Sequence, residues 1–311
     1  MVDLPLMSRL LDALRTDTRV ILLGDRDQLA SVEAGAVLSD ICAGGCPDAA
    51  TGDRPAIVHL TRSYRFSDES GIGRLSRLIN AGDGDGALAL LRSGLCSDLR
   101  WRPLPSAENF AETLDAAACE CYAAFAQATT PIEALDALER FRVLTPHREG
   151  RYGVGSLNRL IDSALSRSRL TGSSAASHRP VMITGNNYEL GLFNGDAGVL
   201  VGATVDAGPA AFFPDPDSGV RRISALRLPQ HETAFALTVH KVQGSEFDFV
   251  LLILPDQMSE VLCRELLYTA VTRARKRVEI WGDEEVFRRA VERRIERSTG
   301  LRDRLWKEGR S

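Results

Sequence analysis

Two segments near the carboxyl end carry polar residues in an arrangement that could bind and hydrolyse a nucleotide. They read FALTVHKVQGSEFDFVLLILP (residues 235–255) and ELLYTAVTRARK (residues 265–276). In the first segment, four polar side chains follow a short apolar strand: His240, Lys241, Gln243 and Glu246. Ligands of open α/β sheets bind at such strand ends. The second segment predicts a helix from which Arg273 and Arg275 project, and arginines near a phosphate stabilise the charge on a transferring phosphoryl group. Together the segments predict a motor that acts on nucleic acid.

A phosphate-binding loop is absent from this pattern. The 311 residues contain no G-x-x-x-x-G-K-[ST] sequence. In that loop, backbone N–H groups cradle the phosphates, the lysine contacts them and the hydroxyl binds magnesium. The sequence therefore predicts one side of a nucleotide site without the loop that cradles the phosphates.

Composition sets wider limits. With 44% hydrophobic and 26% charged residues the chain is typical of a globular protein, and its length suits about two domains. The formal net charge of -4 gives no overall attraction to nucleic acid, so DNA binding would need local basic patches. No apolar run is long enough for a membrane span and no signal-peptide pattern is present, which favours a cytoplasmic protein without membrane contact. The six cysteines form no CxxC pair, which favours reduced thiols over zinc or disulfides.

The spacing of apolar residues predicts an α/β protein. Short apolar runs predict buried parallel strands at residues 19–25, 57–61 and 141–145. Helical spacing and good helix formers predict helices between and after these strands, at residues 31–43, 69–81, 107–127, 131–140 and 156–167.

Between residues 178 and 228 the pattern changes. Short strands alternate there with Gly, Asn, Pro and Asp turns, which predicts a small all-β insertion. The residues leave two interpretations open: a surface decoration, or a small barrel that guides nucleic acid.

Four segments, in this order along the chain, carry a resemblance to a known family: GDRDQLASVEAGAVLSDICA (24–43), LTRSYRF (60–66), VHKVQGSEF (239–247) and YTAVTRAR (268–275). They resemble the motifs of superfamily 1 DNA helicases and, within these, of the RecD family, the alpha subunits of bacterial exonuclease V. The resemblance implies RecA-like parallel sheets, with a small all-β barrel inserted in the second RecA-like domain. It also implies ATP and Mg²⁺ as cofactors.

The resemblance assigns the nucleotide contacts to particular residues. Gln28 would contact the γ-phosphate and report its presence to the DNA site. Arg65 and Arg273 would contact the phosphates, and these three residues would be the catalytic ones. Gly244 would let the backbone approach the nucleotide, and Glu246 would hydrogen-bond the ribose. From its residue type alone, Arg273 could instead be a helix-surface arginine in an exposed ion pair.

The resemblance also implies a DNA site and a division into domains. Thr238 and His240 would face single-stranded DNA. Residues 1–56 would be the carboxyl-terminal remnant of the first RecA-like domain. Residues 57–177 and 230–311 would form the second, interrupted by the insertion at residues 178–229. Met1 would lie just after the magnesium-binding acidic pair, so that no metal ligand is expected in this chain. The strand near Val20 would then be an exposed apolar edge.

The function implied is that of an ATP-dependent 5′ to 3′ DNA helicase, the motor of an exonuclease V complex with its beta and gamma subunits. This motor would act on single-stranded DNA or duplex ends, in double-strand-break repair and DNA degradation. Without a phosphate-binding loop, the chain alone is expected to hydrolyse ATP poorly or not at all. Two alternatives stay open: a non-catalytic module that binds single-stranded DNA or regulates, and a remnant without function.

Overall fold

The computed structural model describes residues 2–29, 37–43, 57–60, 65–67, 70–170, 178–203, 208–295 and 300–306. Its centre is a five-stranded sheet in the order β1-β10-β9-β2-β8, in which every neighbouring pair is parallel. The strands are β1 (Leu99–Pro103), β2 (Phe141–Thr145), β8 (Ala236–Thr238), β9 (Phe247–Ile253) and β10 (Ala274–Gly282). The parallel arrangement confirms the predicted α/β class.

Helices cover both faces of this sheet because its central strands are apolar on both sides. Val250 and Leu252 pack into one core, whereas Leu251 and Ile253 pack into the other, as the two-residue period of a strand requires. The first core is built by α3 (Gly71–Ala81), α4 (Gly84–Ser93), α9 (Arg264–Val271) and α10 (Glu284–Glu292). The second is built by α5 (Phe110–Cys121), α6 (Ala123–Gln127), α7 (Pro131–Arg140) and α8 (Val154–Leu170).

A second sheet lies in the chain between β2 and β8. It is antiparallel, with the order β6-β5-β4-β3-β7, and surrounds a small core of its own. Its strands are β3 (His178–Ile183), β4 (Ala197–Val201), β5 (Ala210–Asp215), β6 (Gly219–Ser224) and β7 (His231–Thr233). The predicted all-β segment is therefore present. Within the described residues β6 and β7 do not pair with each other, so closure into a barrel is not confirmed.

The amino-terminal strand prediction is wrong. Residues 19–25 form no regular element, and the side chains of Ile21 and Leu23 are 74% and 87% exposed. The expected exposure of this apolar segment is thus observed without a strand. Residues 57–60 likewise form no strand, and Val58 and Leu60 are exposed; residue 61 lies outside the described residues. A parallel strand needs neighbours for its N–H and C=O groups, and no described strand pairs with either segment.

Several local predictions are confirmed. The predicted helix at 131–140 and strand at 141–145 have the observed bounds of α7 and β2. The helix begins there because Thr130 and Glu133 cap each other: Oγ1 of Thr130 accepts from the N–H of Glu133 at 3.2 Å, and the Glu133 carboxylate accepts from the N–H of Thr130 at 3.2 Å.

The remaining helices are α1 (Leu4–Asp12), α2 (Val37–Cys42) and α11 (Leu301–Trp306). The helix predicted at residues 31–43 is observed only as α2, and residues 31–36 lie outside the described residues. Among the helices described, none has the length and apolar character needed to cross a bilayer.

Amide exchange should separate the exposed apolar segment from the sheet. Amides of residues 20–24 should exchange almost as fast as in an unfolded chain, because no described strand accepts their hydrogen bonds. Amides of β9 should be among the most protected, since β9 is paired on both sides and buried. Hydrogen–deuterium exchange with peptide mapping measures both. Strong protection throughout residues 20–24 would contradict the expectation.

Candidate functional site

Arg273 lies in the turn between α9 and β10 and not on the helix predicted to carry it. The helix ends at Val271, and β10 begins at Ala274, so Arg275 lies on the strand. Arg273 is only 4% exposed. Its Nε donates to the carbonyl of Thr269 at 3.2 Å and its Nη1 to the carbonyl of Ser245 at 3.1 Å. The helix prediction is wrong because the chain turns into a buried strand, and Arg273 is not an exposed surface arginine.

Arg65 lies beside this turn although it is about 200 residues away in sequence. Its Nη1 donates to the carbonyl of Thr272 at 3.0 Å, and its Nη2 forms an ion pair with Glu246. Both side chains of the pair are about one-third exposed, so the pair itself adds little to stability. Burial lowers the pKa of Arg273, and the positive charge of Arg65 lowers it further. Two guanidinium groups therefore lie close enough to repel each other.

Gln28 reaches the same region through Asp25. The Asp25 carboxylate accepts from Nε2 of Gln28 at 3.1 Å and from the hydroxyl of Tyr268, on α9, at 2.9 Å. The next residue along is held as well: the N–H of Leu29 donates to Oγ1 of Thr269 at 2.8 Å. The segment 25–29 is therefore docked against α9, one turn before Arg273.

The loop that follows β8 supplies Gly244 and Glu246. Nε2 of Gln243 donates to the carbonyl of Leu29 and so ties this loop to the segment 25–29. Gly244 has a φ of +87°, which side chains with a Cβ rarely adopt, and a Cβ built there would meet no atom within 4 Å. The backbone conformation therefore requires glycine, and the space beside it is open.

The predicted site residues separate into two groups at opposite edges of the parallel sheet. Glu246 immediately precedes β9 and Arg273 immediately precedes β10, so both lie at the amino ends of their strands. Thr238 and His240 lie at the carboxyl end of β8. The expectation that the polar residues of the first segment share one strand end is wrong, because the loop 239–246 crosses from one edge of the sheet to the other.

At the carboxyl edge, Thr238 is 6% exposed and pairs in register with Thr145 of β2. Its Oγ1 accepts from the N–H of Lys241 at 3.4 Å, so the hydroxyl helps to shape the loop. His240 is half-buried. The Lys241 ammonium forms an ion pair with Glu232 of β7.

The amino-edge group, Gln28, Arg65, Glu246 and Arg273, contains hydrogen-bond donors of the kind that bind anions. Arg65 and Arg273 supply guanidinium N–H groups and Gln28 supplies an amide, which is a donor set that fits phosphate oxygens. Within the described residues no group of three or more His, Cys, Asp or Glu side chains could hold a metal ion. The sequence singled out Gln243 without giving it a partner, and it missed the supporting residues Asp25 and Tyr268. Their positions inside two of the recognised motifs are the signal that could have found them.

Comparison with protein families gives the class of protein first. Residues 233–280 match the UvrD-like helicase C-terminal domain, and residues 1–95 match an AAA domain. Combined with the parallel sheet, these matches support a RecA-like helicase fold. Pif1 helicase from Bacteroides, in complex with ADP-AlF3 and single-stranded DNA, is 12% identical and covers 81% of this chain and 57% of its own. Its TM-score of 0.41 is too low to add to this conclusion.

The particular relationship is with RecD. The chain is homologous to the RecBCD enzyme subunit RecD of Mycolicibacterium smegmatis, with 42% identity over 98% of this chain and 52% of that protein. RecD of Haemophilus influenzae is 33% identical over 97% of this chain and 52% of its own length. The ATP-dependent RecD2 DNA helicase of Deinococcus radiodurans is 28% identical over 96% and 38%. The chain matches the carboxyl-terminal portion of RecD and spans about half the length of these RecD relatives.

Replacement of Gly244 by alanine should destabilise the fold by about 1 kcal/mol or more, because alanine is strained at a positive φ. Gly185→Ala is the matched control: its site is equally open and its φ lies outside the left-handed region, so the change should stay within about 0.5 kcal/mol. Urea unfolding followed by circular dichroism measures both. Equal losses at the two glycines would show that the backbone of Gly244 imposes no special requirement.

Proposed function

We propose that the chain forms the motor portion of a RecD-type superfamily 1 DNA helicase that is driven by ATP. One observation carries the proposal. Gln28, Arg65, Glu246 and Arg273 come from four separate parts of the sequence and converge at the amino ends of β9 and β10. The relatives named RecD and RecD2 supply the class of reaction.

In this proposal the converging residues bind the phosphate end of ATP. Arg65 and Arg273 face the γ-phosphate, whose negative charge removes the repulsion between the two guanidinium groups. Within the described contacts Arg273 uses Nε and Nη1, so Nη2 is the atom we assign to the phosphate. The amide of Gln28 donates a hydrogen bond to the same phosphate, and Gly244 leaves room for the nucleotide. Glu246 gives up its ion pair with Arg65 and hydrogen-bonds the ribose. Such fixed charges stabilise the charge that develops during phosphoryl transfer.

DNA contacts lie at the opposite edge of the sheet, at Thr238 and His240. Because Thr238 is buried, we assign its role to loop shape and to its backbone, whereas His240 can stack on a base or donate to a phosphate. The loop 239–246 joins the two edges, so a displacement of Glu246 by nucleotide is passed directly to His240. Gln243 donates to the carbonyl of Leu29 and so links the segment 25–29, which contains Gln28, to this loop.

Hydrolysis needs more than these residues. Because the 311 residues hold no phosphate-binding loop, we propose that this loop and the ligands of Mg²⁺ come from other sequence and that the chain alone does not hydrolyse ATP. We retain the division into residues 1–56, 57–177, 178–229 and 230–311 as a proposal. We also propose that the motor translocates 5′ to 3′ and assembles with the beta and gamma subunits of exonuclease V. Its proposed role is in DNA repair in the cytoplasm.

A chimera tests the catalytic role of Arg273. The chain is joined to the amino-terminal half of Mycolicibacterium smegmatis RecD, and ATP hydrolysis is measured with and without single-stranded DNA. Arg273→Ala should lower kcat by about 10³-fold or more, the size expected for a phosphate-contacting arginine. Arg275→Ala is the matched control, because Arg275 is half-exposed on β10 and pairs with Asp248 at 3.3 Å. It should keep kcat within about threefold.

The outcomes distinguish the candidate functions. A helicase chimera hydrolyses ATP only with DNA present and unwinds a duplex with a 5′ overhang. Equal activity of the two arginine variants would overturn the role of Arg273. If the chimera folds and the chain binds single-stranded DNA, but the chimera shows no hydrolysis, the chain is a DNA-binding module and not a motor.

A further inference from the structure

A carboxylate of the second sheet lies between two cations at the carboxyl edge of the parallel sheet. Glu232, on β7, pairs with Lys241 through Oε1 and with Arg148 through Oε2, the second pair at 3.5 Å. Lys241 follows β8 and Arg148 follows β2, and these strands are parallel neighbours. Each oxygen of one carboxylate therefore holds a cation from a different strand end.

These cations border the region assigned to DNA. Lys241 is adjacent in sequence to His240, and its N–H is bonded to Thr238, so its position is fixed relative to both. A cleft of about 500 Å³ opens beside Glu232 between α8, β3 and β7. Arg148, Arg159 and Arg179 line this cleft. The carboxylates of Glu149, Asp162 and Glu232 line it as well, and Arg179 is paired with Asp162 at 3.3 Å. A cleft lined by charged side chains suits a charged ligand, not an apolar one.

We infer that a phosphate of single-stranded DNA replaces the Glu232 carboxylate between Lys241 and Arg148. Glu232 then acts as a competing anion, supplied by the second sheet, at the DNA site. The inference rests on the proposed function, because it adds Lys241 and Arg148 to the contacts of Thr238 and His240. A phosphodiester, like a carboxylate, presents one negative charge shared by two oxygens, so it can satisfy the same two cations.

The strength of the pairs allows this exchange. Lys241 and Glu232 are 22% and 25% exposed, whereas Arg148 is 70% exposed. The Arg148 pair is open to water on the arginine side, and such pairs are weak and are screened by salt, whereas the Lys241 pair is mostly buried. The Glu232 carboxylate can therefore hold the two cations in place without DNA, and a phosphate that replaces it keeps a negative charge beside the more enclosed Lys241. Since β7 leads into β8 after two residues, DNA binding also changes a contact between the two sheets.

The test is the affinity of the 311-residue chain for a fluorescein-labelled oligothymidylate, measured by anisotropy over a range of salt concentrations. Glu232→Gln keeps the shape of the side chain and removes its charge, so binding should tighten roughly two- to fivefold at low salt. Lys241→Gln and Arg148→Gln should each weaken binding. Each should also make the plot of log affinity against log salt shallower by about 0.7, the loss of one phosphate contact on a single strand.

Glu189→Gln is the matched control. Glu189 pairs with Arg227 at 3.1 Å near the β6 edge, at the far side of the same sheet from β7. This variant removes the same charge from a turn between β3 and β4 and should leave the affinity unchanged. Inorganic phosphate, added at constant ionic strength, should not displace the oligonucleotide, because a chain of phosphodiesters binds at several positions.

Each remaining outcome overturns the inference. Equal tightening by Glu232→Gln and Glu189→Gln would mean that only total charge matters. If Lys241→Gln and Arg148→Gln bind the oligothymidylate with the affinity of the wild type, no phosphate lies between these cations. The DNA-binding function would stay intact in that case. Displacement by inorganic phosphate from the wild type but not from Lys241→Gln would assign the pair to the free anion. If the wild type binds no oligothymidylate at any salt, the DNA interface itself is refuted, and the proposed function fails with it.

Discussion

The pairing of β9 with β10 is the interaction on which the candidate site depends. The N–H of Phe247, the first residue of β9, donates to the carbonyl of Arg273 at 2.8 Å, and Phe247 pairs in register with Ala274. This contact places Glu246 and Arg273 side by side at the amino ends of two buried strands. From Phe249 to Ile253 the two strands keep one register, and an irregularity between Ala274 and Arg277 separates this stretch from the Phe247–Ala274 pair.

The charged groups of the site are held mainly by backbone carbonyls. Arg273 donates to Thr269 and Ser245, and Arg65 donates to Thr272. Carbonyl oxygens position guanidinium groups without cancelling their charge, whereas the Glu246 carboxylate, which is paired with Arg65, neutralises part of it. Any movement of the supporting loops therefore moves the arginines.

The loop 239–246 gives the two edges of the sheet a mechanical connection. It begins beside Thr238, passes His240 and Lys241, and ends at Glu246 before β9. The second sheet acts on the same loop through Glu232, and the amino-terminal segment acts on it through Gln243 and Leu29. In the proposed function, a nucleotide at one edge and DNA at the other would therefore each favour a conformation of the loop 239–246. Their binding is coupled because both ligands contact this one loop.

The sequence by itself determined the helices and strands that are specified by residues close together in the chain. Residues 130–145 carry a capping pair and then a strand in which Phe141, Val143 and Thr145 are strand formers, so α7 and β2 follow from propensity and pattern. The motifs named most of the candidate site residues. Only the tertiary structure decided that residues 19–25 form no strand, that α9 ends before Arg273, and that Glu246 and His240 lie at opposite edges. Those outcomes depend on which strands are neighbours, and strand pairing joins residues far apart in the chain that no local pattern can match.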